Sequence, residues 1–144
     1  MNNNLSRSPA LLTVIIPVFN EAEVIPLFFS RIQPVLENIE KNYRVNLLFL
    51  NNASTDKSYE VISDIRREFK FVHLITMSTN VGYQKSVECG LRNAIGDIFV
   101  VIDVDCEDPP EMILQFIDHY EKGFDLVYGP VSYTHLTLPT KRIV

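Results

Sequence analysis

The sequence predicts an α/β fold with a mostly parallel sheet and helices on both faces, and two observations carry that expectation. Continuous apolar, β-branched runs alternate with segments whose apolar residues recur at helical spacing, the pattern of repeated strand–helix units. Each apolar run also empties into a polar cluster before the next helix begins, as loops do at the carboxyl edge of such a sheet. Units of this length connect by right-handed crossovers.

Residues 12–19 read as a strand buried on both faces, with Pro17 tolerable only near the strand end or where no ladder bond is needed. Asn20 with Glu23 suggests a helix cap. Val24, Leu27, Phe28, Ile32, Val35, Leu36 and Ile39 follow at helical spacing, and Pro34 is a candidate kink. A second strand covers residues 45–50, then a polar turn at 51–56 and a helix with Tyr59, Ile62, Ile65 and Phe69 on one face. A third covers 71–77, then a loop at 78–82 and a helix turning Val87, Leu91 and Ala94 inward, closed by Gly96. The fourth runs through Val101. The helix after it is expected to start at Asp108 as cap, with Pro109, Pro110 and Glu111 in its first turn. It buries Met112, Ile113, Phe116, Ile117 and Tyr120, stops at Gly123, and hands over to a fifth strand from residue 124.

At 144 residues and 47% hydrophobic content the chain suits one globular domain. Its net charge of −5 and dispersed lysines and arginines disfavour nucleic acid. Cys89 and Cys106 form no paired motif, which argues against a disulfide framework or a structural zinc. Residues 1–11 read as a flexible tail without a signal sequence, and no apolar run is long enough to span a bilayer. The chain as written is expected to be soluble and cytoplasmic.

The sharpest chemical signal is the carboxylate cluster that ends the fourth strand. If the backbone stays extended past Val101, Asp103, Asp105 and Glu107 share one face, since side chains two apart point the same way. Such a group suits Mg²⁺ or Mn²⁺, which use one or two carboxylates and leave positions for phosphate oxygens. Asp108 and Glu111 read as structural instead. The polar clusters at 20–21, 51–56, 78–82 and 103–107 each follow a strand, so all four are expected along one edge of the sheet.

In this order and spacing, the segments at 14–21, 52–56, 80–82 and 103–111 resemble the nucleotide-sugar-binding half of family-2 glycosyltransferases, whose fold is the Rossmann-like glycosyltransferase-A type. The resemblance covers residues 12–129, and the acidic block looks most like the polyprenyl-phosphate branch containing dolichyl-phosphate mannose synthases. It implies a divalent ion on Asp103 and Asp105, with Glu107 as a further ligand, bridging the diphosphate of a nucleoside-diphosphate sugar. Pro17 and Glu21 then sit where the family holds the nucleoside. Asn51 stands in place of an Asp that orients the base, Asp56 matches the second acid of that turn, and Asn80 and Gly82 match the loop after the third strand. Asp103 belongs to the sugar-nucleotide site as well as to the metal. The family's catalytic base lies downstream, so no residue of this chain is assigned that role. Transfer is expected to invert configuration, with a polyprenyl phosphate as acceptor and the parent protein at the cytoplasmic membrane face through segments missing from this chain.

Other readings compete. Asp103-x-Asp105 after an apolar strand also resembles the first motif of haloacid-dehalogenase-type phosphatases, although Glu107 stands where that motif wants Thr or Val. A donor-binding remnant without turnover is a third possibility. Residues 130–144 match nothing in the family and read as a foreign tail of sequencing-adaptor origin on a partial domain. Phe28, Phe29, Tyr59, Phe69, Phe116 and Tyr120 are expected in the core, His73 in a buried strand, and His119 on a helix without a metal partner.

Overall fold

The computed structural model describes residues 8–127 and 129. Strands and helices alternate through four units: β1 (Leu11–Val18), α1 (Ile25–Ile39), β2 (Arg44–Asn51), α2 (Ser58–Glu68), β3 (Val72–Thr76), α3 (Tyr83–Asn93), β4 (Ile98–Val101) and α4 (Met112–Glu121). Every pairing is parallel, in the order β3-β2-β1-β4. The chain therefore builds outward from β1 to β3 on one side and then returns to place β4 on the other. β1 is the strand at which the order reverses.

Period-two alternation divides the strands between two cores. Leu12, Val14, Ile16 and Val18 of β1 join Leu47 and Phe49 of β2 in the larger core, against Phe28 and Ile32 of α1, Ile62 of α2 and Ile113 of α4. Ile15, Leu48 and Leu50 face the other way into a smaller core with Met77, Ala94, Phe99 and Val101. α3 covers this second face. A fully buried Phe or Leu contributes roughly 1.5–3 kcal/mol, so the larger core holds most of the stability. The smaller one is built by close approach: a Cβ at Gly90 would lie 2.6 Å from Leu50 Cδ1 and 3.0 Å from Ile15 Cγ2.

Pro17 sits inside β1, opposite Leu50 of β2. Its missing N–H falls on the β4 side, where Leu11 and Ile15 accept from Asp97 and Ile102 and where β4 has already ended at Val101. No ladder bond is lost, as the sequence expectation required.

Several expected details differ. Asn20 does not cap α1; the helix begins after Val24 with no side-chain cap, and Asn20 adopts φ +52° in the preceding loop. Asp108 does not cap α4, whose flanking residue is Glu111, because Pro109 and Pro110 carbonyls accept the first helical N–H groups. Gly96 does not close α3, which ends at Ala94; it allows the chain to pass Thr13, whose Oγ1 lies 2.9 Å from where its Cβ would be. Leu27, Tyr59, Leu91 and Tyr120 are exposed rather than inward, and His73 is exposed because β3 is an edge strand. Residues 124–127 form no strand; Tyr128 and the expected foreign tail at 130–144 lie outside the described residues. Gly123 does end α4, at φ +97°.

Candidate functional site

At the carboxyl ends of β1 and β4, the place where strand order reverses, lies a cavity of about 390 Å³. Pro17, Val18, Phe19 and Glu21 reach it from β1 and the loop beyond. Asn52 and Asn80 come from the loops after β2 and β3. Tyr83 and Ser86 come from the first turns of α3, and Asp103, Val104 and Asp105 from the end of β4. The four polar clusters read from the sequence therefore converge on one edge.

Hydrogen bonds lock these loops together. Asn20 Oδ1 accepts from the Thr55 N–H at 2.8 Å and the Asp56 N–H at 3.3 Å, while the Ser54 hydroxyl accepts from the Asn20 N–H. Asp56 accepts from the N–H of Ala22 at 3.1 Å and of Ser58 at 2.9 Å. Burial pushes the Asp56 carboxyl up, but the Ser58 hydroxyl and N–H and the Ala22 N–H outweigh it and hold the group below its ordinary value. One loop farther on, Asn52 donates to Asn80 Oδ1 at 3.1 Å and accepts from the Val81 N–H at 2.9 Å. Gly82, at φ +85°, donates to the same Asn80 oxygen.

Past Val101 the strand ends, yet its alternation persists for four residues. Ile102 and Val104 stay in the larger core while Asp103 and Asp105 face the cavity. The Tyr83 hydroxyl donates to Asp103 Oδ1 at 2.8 Å. Glu107 departs from the expectation: residues 104–108 turn, Cys106 takes φ +63°, and the Glu107 N–H folds back onto Asp105 Oδ1. Its side chain does not line the cavity. Of the other expected contacts, Pro17, Glu21, Asn80 and Asp103 line it. Asn51, 2% exposed, accepts from the Ser54 N–H, and Asp56 and Gly82 also act in the loops behind the lining.

The lining described here carries three carboxylates and no lysine or arginine. Burial, and then the charges of Asp105, Asp56 and Asp103, push the Glu21 carboxyl above its ordinary value. These hard oxygen donors on adjoining positions of one cavity wall fit Mg²⁺ or Mn²⁺ at Asp103 and Asp105. Among the described residues no group of three or more His, Cys, Asp or Glu forms an all-protein metal cage. Mg²⁺-type sites commonly use one or two carboxylates and complete their shell with phosphate oxygens. Ser86 was not anticipated from the sequence, and Asn52 only as a member of the cluster at 51–56. The small residues Ser86 and Gly90, four apart on α3, are the one signal that marks which side of that helix meets the sheet.

A family model described as Glycosyl transferase family 2 matches residues 13–139. The chain is 36% identical over 117 residues to the uncharacterized glycosyltransferase YkcC of Bacillus subtilis, covering 81% of this chain and 36% of that protein. It is 33% identical over 121 residues to the prophage bactoprenol glucosyl transferase homolog of Escherichia coli, covering 84% and 39%. Among solved structures it superposes on the mannosyltransferase PcManGT from Pyrobaculum calidifontis, solved in complex with GDP-Man and Mn²⁺. The TM-score is 0.65 at 22% identity, over 89% of this chain and 37% of that one. That likeness is one of fold. The chain spans 36% and 39% of the lengths of these two curated relatives.

Proposed function

The chain belongs to glycosyl transferase family 2, and on that premise we propose that its cavity binds the nucleoside-diphosphate sugar donor of a transferase, with Mg²⁺ or Mn²⁺ held by Asp103 and Asp105. The observation that carries this reading is the meeting of those two carboxylates with Pro17, Glu21 and Asn80 in a single cavity at the reversal of strand order. When bound, the cation neutralises charge on the leaving diphosphate.

The chain's own residues do the positioning. Asp103 and Asp105 would hold the cation at the end of the cavity that the diphosphate enters. Pro17 and Phe19 offer apolar surface, and Glu21 and Asn80 offer hydrogen-bonding groups, to the nucleoside. Asn51, Asp56 and Gly82 act at one remove, keeping the loops in place so that these groups are preorganised. Asn51, buried and accepting from the Ser54 N–H, supports the turn, and it is uncharged where an Asp would accept more strongly.

Transfer from this donor is proposed to invert configuration at the sugar, with a polyprenyl phosphate as acceptor. The E. coli relative's name, a bactoprenol glucosyl transferase homolog, supports that acceptor class. The parent protein would then work at the cytoplasmic face of a membrane; no described helix of this chain is long and apolar enough to cross one. Family membership displaces the phosphatase reading of Asp103 and Asp105.

Calorimetry with GDP and UDP in the presence of Mn²⁺ tests the site. Wild-type binding should depend on the metal, and Asp105→Ala should lose that dependence; equal affinity in the variant would rule the assignment out.

A further inference from the structure

Ser86 stands one turn into α3, lines the cavity and is 1% exposed. Its Oγ is the only buried side-chain nitrogen or oxygen among the described residues that lacks a hydrogen-bond partner. A serine inside a helix ordinarily turns its hydroxyl onto the carbonyl three or four residues back. Here the Gly82 carbonyl accepts the Ser86 N–H at 3.0 Å, and the hydroxyl is left unpaired. A buried, unpaired donor beside a cavity calls for an acceptor inside that cavity.

We propose that the Ser86 hydroxyl hydrogen-bonds the nucleoside base of the ligand, a specificity contact that rests on the donor-binding reading above. The choice of the base over the diphosphate follows from the distribution of lining groups. α3 turns Tyr83 toward Asp103 and the carboxylates, while Ser86 lies one turn farther along. The rest of the lining combines Pro17 and the exposed ring of Phe19 with Glu21 and the neutral side chains of Asn52 and Asn80. Flat apolar surface with a few hydrogen-bonding groups suits a heterocycle presenting carbonyl or amide edges. The competing explanation is size alone: α3 packs so closely that Gly90 admits no Cβ without displacement, and alanine would serve as well as serine.

Calorimetry on the full chain separates the two, using GDP, UDP and inorganic pyrophosphate, each with Mn²⁺. Ser86→Ala should weaken GDP or UDP about three- to tenfold, the worth of one hydrogen bond, and leave pyrophosphate unchanged. Its melting temperature should not fall, because no protein hydrogen bond is lost. Ser86→Gly, which removes the hydroxyl and adds no volume, should shift affinity in the same direction and decides the matter if the alanine variant fails to fold. Unchanged nucleotide affinity in the variants, or an equal loss for pyrophosphate, overturns the proposal. If the wild-type chain binds none of the three probes, the donor-binding reading fails and this contact falls with it. A wild type that binds nucleotides only as tightly as pyrophosphate holds no base, which overturns the contact while sparing the metal site.

Discussion

The Tyr83 hydroxyl donates to Asp103 Oδ1 at 2.8 Å, joining the first turn of α3 to the end of β4. This bond orients a carboxylate proposed to hold the cation. Tyr83→Phe keeps the ring and removes only the donor, so Mn²⁺-dependent binding of pyrophosphate should weaken about three- to tenfold. Calorimetry checks it, and undiminished binding would show that Asp103 is oriented by other contacts.

Asp56 ties the loop after β2 to the loop after β1 through Ala22 and Ser58. Asp56→Asn should cost about 1 kcal/mol at neutral pH, allowing for its solvent exposure, measured by urea unfolding. The folded carboxyl titrates below its ordinary value, so its contribution is full above that value and is lost as pH falls through the folded one. The gap between wild type and variant should therefore close on acidification below about pH 4.

Tyr43 behaves in the opposite sense. Its hydroxyl donates to Glu121 Oε1 at 2.7 Å, and burial, then this bond and the Glu121 charge, leave it pushed up to about 12. A raised value stabilises the fold fully below the unfolded pKa near 10 and loses that effect as pH climbs through the folded one. Tyr43→Phe should cost about 1 kcal/mol at neutral pH, with the difference from wild type shrinking between about pH 10 and pH 12 in denaturation midpoints.

Gly90→Val should destabilise by about 2–3 kcal/mol. Leu50 and Ile15, which its Cβ would meet at 2.6 and 3.0 Å, are fully buried and leave little room to yield. Thermal melting reads the loss; an unchanged midpoint would mean that α3 can shift outward without cost.

Much of this was legible because burial writes itself into the sequence where large apolar residues do the packing. β1 and α1 were recognisable for that reason, and even Pro17 was readable as a strand-end residue. The inward face of α3 was only partly legible: Ala94 packs in the smaller core as expected, but the helix approaches the sheet mainly through Ser86 and Gly90. Close approach selects small residues, so a search for large apolar ones picked Leu91, which is 42% exposed. Asn20 and Asp108 looked like helix caps because their residue types are right for it. Only the three-dimensional loops reveal that Asn20 Oδ1 serves Thr55 and Asp56 instead. Asp103 and Asp105 were placed by strand alternation, and the same rule failed at Glu107 because a left-handed Cys106 turns the chain before it arrives.

Among the described residues α3 is the single helix against the face formed by Ile15, Leu48 and Leu50. The opposite face shares its shielding among three helices. A molecule seated beneath Tyr83 would fasten the one roof this side possesses. Amide hydrogens from residue 83 to residue 93 should then exchange with deuterium more slowly once nucleotide and Mn²⁺ are added, making occupancy visible as local rigidity along the whole of α3.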